Sequence, residues 1–362
     1  MTRLDSSPFY PARLKSAFMS AINRGDAGDL RQLLDDNPGK INVNARDKRG
    51  ETPLHAAMHV MADNEIIEIL LGANAAIDAR DHRGLTPFLL AVEKRATSAV
   101  EFLAKKGAAV NAQDNEGNGA FHLLMDEGGG RFGRNLDFEI VEMLIKQGCD
   151  VNLRNQNGDT ATHLAAASSE RDVLEVLLAK NPDLTLTDST GNTALHIAVG
   201  ENMVDGPELL LTKGSNINAR NDNGETPLHI AVQQNYDDIA QMLLENGANP
   251  NASDHNGETP LHAAASESSC EIIELLLEKG ADPTIVSLEG FTPVDVAHAS
   301  ATPGSSFSPL FQKTIIEALE KKEAEKRQEQ NEVSKQQSQK NIDSLDKIIG
   351  KRRSRNPPDL GS

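Results

Sequence analysis

The chain has 362 residues and a formal net charge of −18. That balance argues against nonspecific binding to nucleic acid or to an anionic membrane, because phosphates would be repelled. Aromatic residues make up 3%, with no Trp, and two cysteines, Cys149 and Cys270, are too few for a disulfide framework; a ring-filled globular core and an oxidising compartment are both disfavoured.

Residues 1–11 hold Pro8 and Pro11 and predict an irregular lead-in. Residues 12–46 carry two short helical patterns, Leu14, Ala17, Phe18 and Ala21, then Leu30, Leu33 and Leu34, with Asn37-Pro38-Gly39 ending the second. This pair is expected to be an N-terminal capping unit whose outer face must be wettable. No apolar run near the N-terminus reads as a secretory signal, and no stretch approaches membrane-spanning length.

From Asp47 a unit recurs. Gly50, Gly84, Gly117, Gly158, Gly191, Gly224, Gly257 and Gly290 stand 33 or 34 residues apart, except for one step of 41. Thr-Pro follows at Thr52-Pro53, Thr86-Pro87, Thr226-Pro227, Thr259-Pro260 and Thr292-Pro293. Six of the ten histidines fall five residues after the glycine: His55, His122, His163, His196, His229 and His262. Asp254 to Ala265 shows what the unit encodes. Asp254 and Gly257 bracket a tight turn. Thr259 can cap a helix, and Pro260 sits at its first position, where a missing N–H costs nothing. His262 offers one ring nitrogen to its own turn and one to the next unit.

The variations are informative. Repeats one and two have apolar second helices, Ile66, Ile67, Ile69, Leu70 and Leu71, then Val100, Phe102 and Leu103, with Gly72 and Gly107 expected as their left-handed ends. Repeat two has Leu89 in the histidine column. Repeat three lacks Thr and Pro, and an insert at 126–136 separates its helices. Repeats four and five read Thr160-Ala161 and Thr193-Ala194. Repeat eight has Asp295 in place of His, which suits a C-terminal cap from residue 287 facing water. Residues 300–362 form a linker and a charged tail, helical or disordered. The tail holds 12 Lys/Arg against 9 Asp/Glu, so the negative charge belongs to the repeats.

A 33-residue period carrying Thr-Pro-Leu-His-x-Ala is the ankyrin signature, and over about residues 12–299 the chain resembles the ankyrin-repeat family. The resemblance implies an all-α repeat protein, an ankyrin-repeat solenoid of helix-turn-helix pairs joined by β-hairpin-like loops, with repeats one to eight at 47–299. It implies a non-enzymatic protein–protein interaction scaffold binding on a concave surface of finger tips and inner helices. No cofactor or metal is expected, the partner is another protein, and the chain is expected to be monomeric and cytoplasmic.

Candidate contact residues lie on the turns: Arg46, Lys48, Arg49, Arg80, His82, Arg83, Arg154 and Arg220, with Arg131 and Phe132 in the insert. The competing reading pairs these arginines with Asp47, Asp81 and Asp222 as solvated surface ion pairs. The histidine column reads as structural, since rings ~10 Å apart in successive layers cannot share one ion through ~2 Å bonds. Gly128 to Gly133 matches G-x-G-x-x-G but follows a helical repeat instead of a strand, so it reads as an insert. Cys149 and His122 lack a third group for nucleophilic chemistry. Asn44, Asn111, Asn152 and Asn218 resemble asparagines hydroxylated in other ankyrin proteins, against a structural role in turns. Two further functions stay open. Glu317, Glu320, Glu323, Glu325, Glu329 and Glu332 look like the glutamate-block secretion signals of effectors that intracellular bacteria translocate into host cells. Lys351, Arg352, Arg353 and Arg355 match a nuclear import signal.

Overall fold

The computed structural model describes residues 12–125, 138–168, 171–202, 204–267, 270–300 and 309–353. It divides into two compact units, Met1–Asn216 and Ile217–Ser362.

The first unit begins with α1 (Ala12–Arg24) and α2 (Ala27–Asp36). Five helix pairs follow: α3 (Pro53–His59) with α4 (Asn64–Gly72), α5 (Pro87–Glu93) with α6 (Thr97–Lys105), α7 (Ala120–Met125) with α8 (Phe138–Lys146), α9 (Ala161–Ala167) with α10 (Arg171–Leu178), and α11 (Ala194–Gly200) with α12 (Asp205–Thr212). The second unit holds α13 (Pro227–Gln233) with α14 (Asp237–Glu245), α15 (Pro260–Glu267) with α16 (Cys270–Glu278), then α17 (Pro293–Ser300) and the long α18 (Pro309–Arg353). Within each unit, inner helices pack on inner helices and outer on outer. The eighteen described helices, with no strand among the described residues, make an all-α repeat solenoid.

Each inner helix has only six to eight residues, too short to persist alone in water. Stacking supplies what propensity cannot. Leu54, Ala57 and Met58 of α3, and Leu228, Ala231 and Val232 of α13, are fully buried. Outer helices bury a narrow stripe at i, i+3, i+4 spacing, as in Val173, Leu174, Leu177 and Leu178 of α10. Their first turns carry Glu65, Asp172, Asp237 or Glu271, acids that favour a helix N-terminus.

Outer helices end in a left-handed residue at Gly107, Gly148, Gly214, Gly247 and Gly280, and at Asn181 in repeat four. The expectation for Gly72 is corrected. Gly72 is the last residue of α4, and the left-handed position falls on Asn74, with φ 65°. Asparagine tolerates that region better than most side chains.

In the last repeat Asp295 is exposed where most other repeats bury a histidine, as expected of a cap facing water. The expectation did not include the packing of α18 on α16 and α17, with Leu319 fully buried. The start of α18 thus takes the place of an outer helix, and His298 on α17 meets Glu320 on α18 at 3.3 Å.

Candidate functional site

Successive helix pairs are joined by turns, here called fingers, and one side-chain constellation ties each finger to its inner helix. In repeat one, the Thr52 backbone N–H donates to His55 Nδ1 at 3.1 Å, and the Thr52 hydroxyl meets the same nitrogen at 2.9 Å. Nδ1 is therefore the acceptor, so the proton of the neutral ring sits on Nε2. Nε2 reaches the carbonyl of Leu85 in the next repeat, 3.0 Å away. His163, His229 and His262 repeat both arms, ending on the carbonyls of Asn192, Glu258 and Phe291. His196 makes the same own-turn contact with Thr193 at 2.9 Å. The histidine thus fills the role that Glu plays in an ordinary capping box. Burial holds His55, His122, His163, His229 and His262 below the ordinary histidine value of 6.5, consistent with a neutral ring.

The exceptions follow the chemistry. In repeat two, Leu89 is buried and its N–H goes to Thr86 Oγ1 at 3.2 Å. In repeat three, His122 takes the Gly119 N–H at 3.2 Å and reaches Asp159 O at 2.8 Å, without a hydroxyl arm. In repeat eight, Asp295 Oδ2 accepts from both the N–H and the hydroxyl of Thr292, at 2.8 and 2.7 Å. Asp295 is more than a wettable substitute, because it closes the same box.

The arginine column at the finger bases forms a second ladder. Arg46 donates to its own Gly50 carbonyl at 2.8 Å and to the carbonyl of Arg80. Arg80 donates to Gln113 O at 2.7 Å. Gln113 in turn reaches Arg154 O at 2.9 Å, and Arg154 reaches Gly158 O and Thr187 O at 3.2 and 2.6 Å. Arg220 lies beside Gly224. Asp47 and Asp81 pair with the tip arginines Arg49 and Arg83, each at 3.8 Å, and not with Arg46 or Arg80, so in these two fingers the ion-pair reading holds at the tips alone. Asp47 Oδ1 accepts the N–H groups of Arg49 and Glu51, and Asp81 Oδ1 those of Arg83 and Leu85. Burial alone would raise Asp47, but those two amides and the Arg49 charge hold it below the usual range.

Finger backbones are joined by single hydrogen bonds in both units. His82 N–H donates to Arg49 O, Asn115 to Arg83 O, Gln156 to Glu116 O and His255 to Asn223 O, each at 2.9 Å. The spacing is close enough that Gly50, with φ +79°, has His82 where a Cβ would stand. At the tips the side chains face water. Arg49 is 67% exposed while paired to Glu51 at 2.9 Å, and Arg83 is 57% exposed while paired to Glu93 at 2.9 Å. Lys48 and His82 are exposed beside them.

Arg131, Phe132, Arg355 and the glycine string of the insert lie outside the described residues. Lys351, Arg352 and Arg353 fall in the last turn of α18, beyond the described side chains. Cys149 and His122 are engaged elsewhere and form no nucleophile–base pair. Burial pushes the Cys149 thiol up to about 12 and its Sγ points to Val110 O, while both His122 nitrogens are committed as above. A protonated thiol is a poor nucleophile. The asparagine column is structural: Asn44 bridges Asn74 O and Ala76 N–H, and Asn152 accepts from Asp183 N–H at 2.9 Å. The described residues contain no cluster of His, Cys, Asp and Glu able to hold a metal ion, and no helix among them is long and apolar enough to cross a membrane.

Repeated helix pairs, stapled through histidine and arginine ladders, define a modular repeat protein. A family model described as ankyrin repeats (3 copies) matches residues 18–114, 132–221 and 206–287. The chain belongs to the ankyrin-repeat family. It is 38% identical over 101 residues to mouse neurogenic locus notch homolog protein 1, covering 28% of this chain and 4% of that protein. It is 35% identical over 101 residues to the mouse B-cell lymphoma 3 protein homolog, covering 27% and 22%. A third relative is the Arabidopsis thaliana E3 ubiquitin-protein ligase KEG, 31% identical over 137 residues, covering 37% and 8%. The chain thus spans less than a quarter of the length of each.

Proposed function

We propose that the chain is a non-enzymatic scaffold that binds a partner protein, and that the tips of fingers one and two grip an acidic segment of it. The observation that supports this most is the exposure of Lys48, Arg49, His82 and Arg83 on turns whose backbones are fixed by the ladders. A basic edge on a chain of net charge −18 selects an acidic ligand by contrast, and rigid tips lose little freedom on binding. Arg46, Arg80 and Arg154 support the fingers from behind through their carbonyl contacts.

The test therefore reverses only the tips. Lys48→Glu, Arg49→Glu and Arg83→Glu are combined, and proteins captured from the native cell are compared with those captured by the parent chain. Selective loss of a captured protein supports the reading, and an unchanged set counts against it. Deleting residues 301–362 while following translocation and nuclear accumulation addresses the tail separately.

A further inference from the structure

Among the described residues, only the last finger exposes apolar side chains in the two positions that flank its turn. Two residues before the turn glycine stand Lys48, His82, Asn115, Gln156, Ser189, Asp222 and His255, and then Leu288. One residue after it stand Glu51, Leu85, Asn118, Asp159, Asn192, Glu225 and Glu258, and then Phe291. Leu85 is buried at 1%, whereas Leu288 is 80% exposed and Phe291 48%. Val286, 54% exposed, stands in the arginine-ladder column. The end of the array explains Val286, because no following repeat offers a carbonyl for an arginine there. It also uncovers Phe291, whose column is buried or half-buried in the other repeats, but it does not explain Leu288, whose column is polar and exposed throughout. Single exposed apolar side chains need no explanation, but an apolar residue in that polar column, beside Phe291 laid bare on the same tip, does.

This finger is also ordered. Ser287 N–H donates to Phe291 O at 2.9 Å, Gly290 N–H to Ser287 O at 3.0 Å, and Leu288 N–H to Asn256 O at 2.8 Å. The fingers stack so closely that a Cβ on Gly257 would lie 2.8 Å from the Leu288 nitrogen. In the preceding fingers, the carbonyl just before the turn glycine accepts the next finger's N–H, as at Arg49, Arg83, Glu116, Asn157, Asn223 and Asn256. The corresponding group here is Glu289 O. The sequence brings no ninth finger to it, since the residue 33 positions beyond Gly290 is Glu323, within α18.

We propose that finger eight is a docking edge for an extended, basic and apolar peptide segment of a partner protein. The segment's N–H meets Glu289 O and continues the backbone row, as strands add to an open sheet edge. Its apolar side chains cover Leu288 and Phe291. Its basic side chains face Asp254, Glu258 and Glu289, a carboxylate group close enough together that Glu258, already raised by burial, is raised further by the other two. The surface is independent of the basic tips of fingers one and two.

The probes are two short labelled peptides, one alternating Val and Lys and one alternating Val and Glu, titrated into the full chain and read by fluorescence anisotropy. The variant is Leu288→Ser with Phe291→Thr, which keeps the charge and alters only exposed side chains. The Val/Lys peptide is expected to bind the parent chain and to lose about tenfold in affinity for the variant, the scale of a removed apolar anchor. The Val/Glu peptide is expected to bind at least as weakly as that. Backbone N-methylation of the Val/Lys peptide is expected to weaken it similarly. Equal binding of Val/Lys to parent and variant would overturn the proposal, because charge alone would then explain it. So would equal binding of both peptides, no binding of Val/Lys to the parent, or sedimentation of the parent as a dimer that the variant dissociates.

Discussion

His55 on α3 donates from Nε2 to the carbonyl of Leu85, 30 residues further on, while its Nδ1 holds the N–H and hydroxyl of Thr52. One neutral ring thus fastens a helix start and a repeat junction together. Protonation would place a hydrogen on Nδ1, against the Thr52 N–H, and break the first of these contacts.

Stability should accordingly fall on mild acidification. Burial holds five of these rings below 6.5 in the folded chain. Below that pH the unfolded chain takes up protons that the folded chain does not, so unfolding is favoured until the folded values are reached. The loss is at most about 1.4 kcal/mol per pH unit for each ring. Urea midpoints measured at closely spaced pH values from 8 to 5 should be level at first and then decline. A level profile throughout contradicts the neutral-ring assignment.

Removing a ring should cost more than removing its acidic counterpart. His229→Ala strands the Thr226 N–H and the Glu258 carbonyl and is expected to cost about 2–3 kcal/mol. Asp295→Ala loses only its own cap, about 1 kcal/mol. Equal costs in denaturant unfolding would remove the inter-repeat arm from the account.

The arginine ladder predicts a difference between two surface positions. Arg154 reaches Gly158 O from Nε and Thr187 O from Nη2, a span that a single ammonium cannot match. Arg154→Lys should destabilise by about 1 kcal/mol. Arg49→Lys, at an exposed ion pair, should stay within about 0.5 kcal/mol. Thermal or urea unfolding of the two variants decides it.

Leu319→Ala should loosen the end of the second unit. Leu319 is fully buried in the α18 packing, so about 2–4 kcal/mol is expected, as for other truncated core leucines. Amides of α17 should then exchange faster, with those of α3 to α6 unchanged. Identical exchange in α17 would mean that α18 contributes nothing there.

Repeat three should be the least protected inner helix. Gly119 replaces the capping Thr, leaving His122 with only a backbone donor on its own turn. Hydrogen exchange is expected to be fastest, among the inner helices, in Ala120–Met125. Uniform protection would contradict it.

Much of the fold was legible because its instructions are local and repeated. Thr-Pro sets each inner helix start, the glycines set the turns, and the histidine's two-sided role follows from having two ring nitrogens. The arginine column was harder to read. Its acceptors are backbone carbonyls one repeat away, which no charge pattern displays. Gln113 was the available clue, since an amide in that column can donate hydrogen bonds but cannot form ion pairs. Gly72 misled because glycine draws attention as a terminator, while Asn74 holds the register of Gly107. The packing of α18 was foreshadowed by Ile316 and Leu319, but proximity in sequence to a Pro/Ser linker and a charged shaft concealed where that helix would settle. The apolar tip of finger eight stands out only once its exposure is known.

The longer step of 41 residues falls between α7 and α8, while the bonds around it, such as Gln156 N–H to Glu116 O at 2.9 Å, match those at ordinary steps. The described rungs on either side thus keep their register despite the extra chain. The connection between paired helices is therefore a splice point, where foreign sequence could be grafted without the neighbouring layers losing alignment.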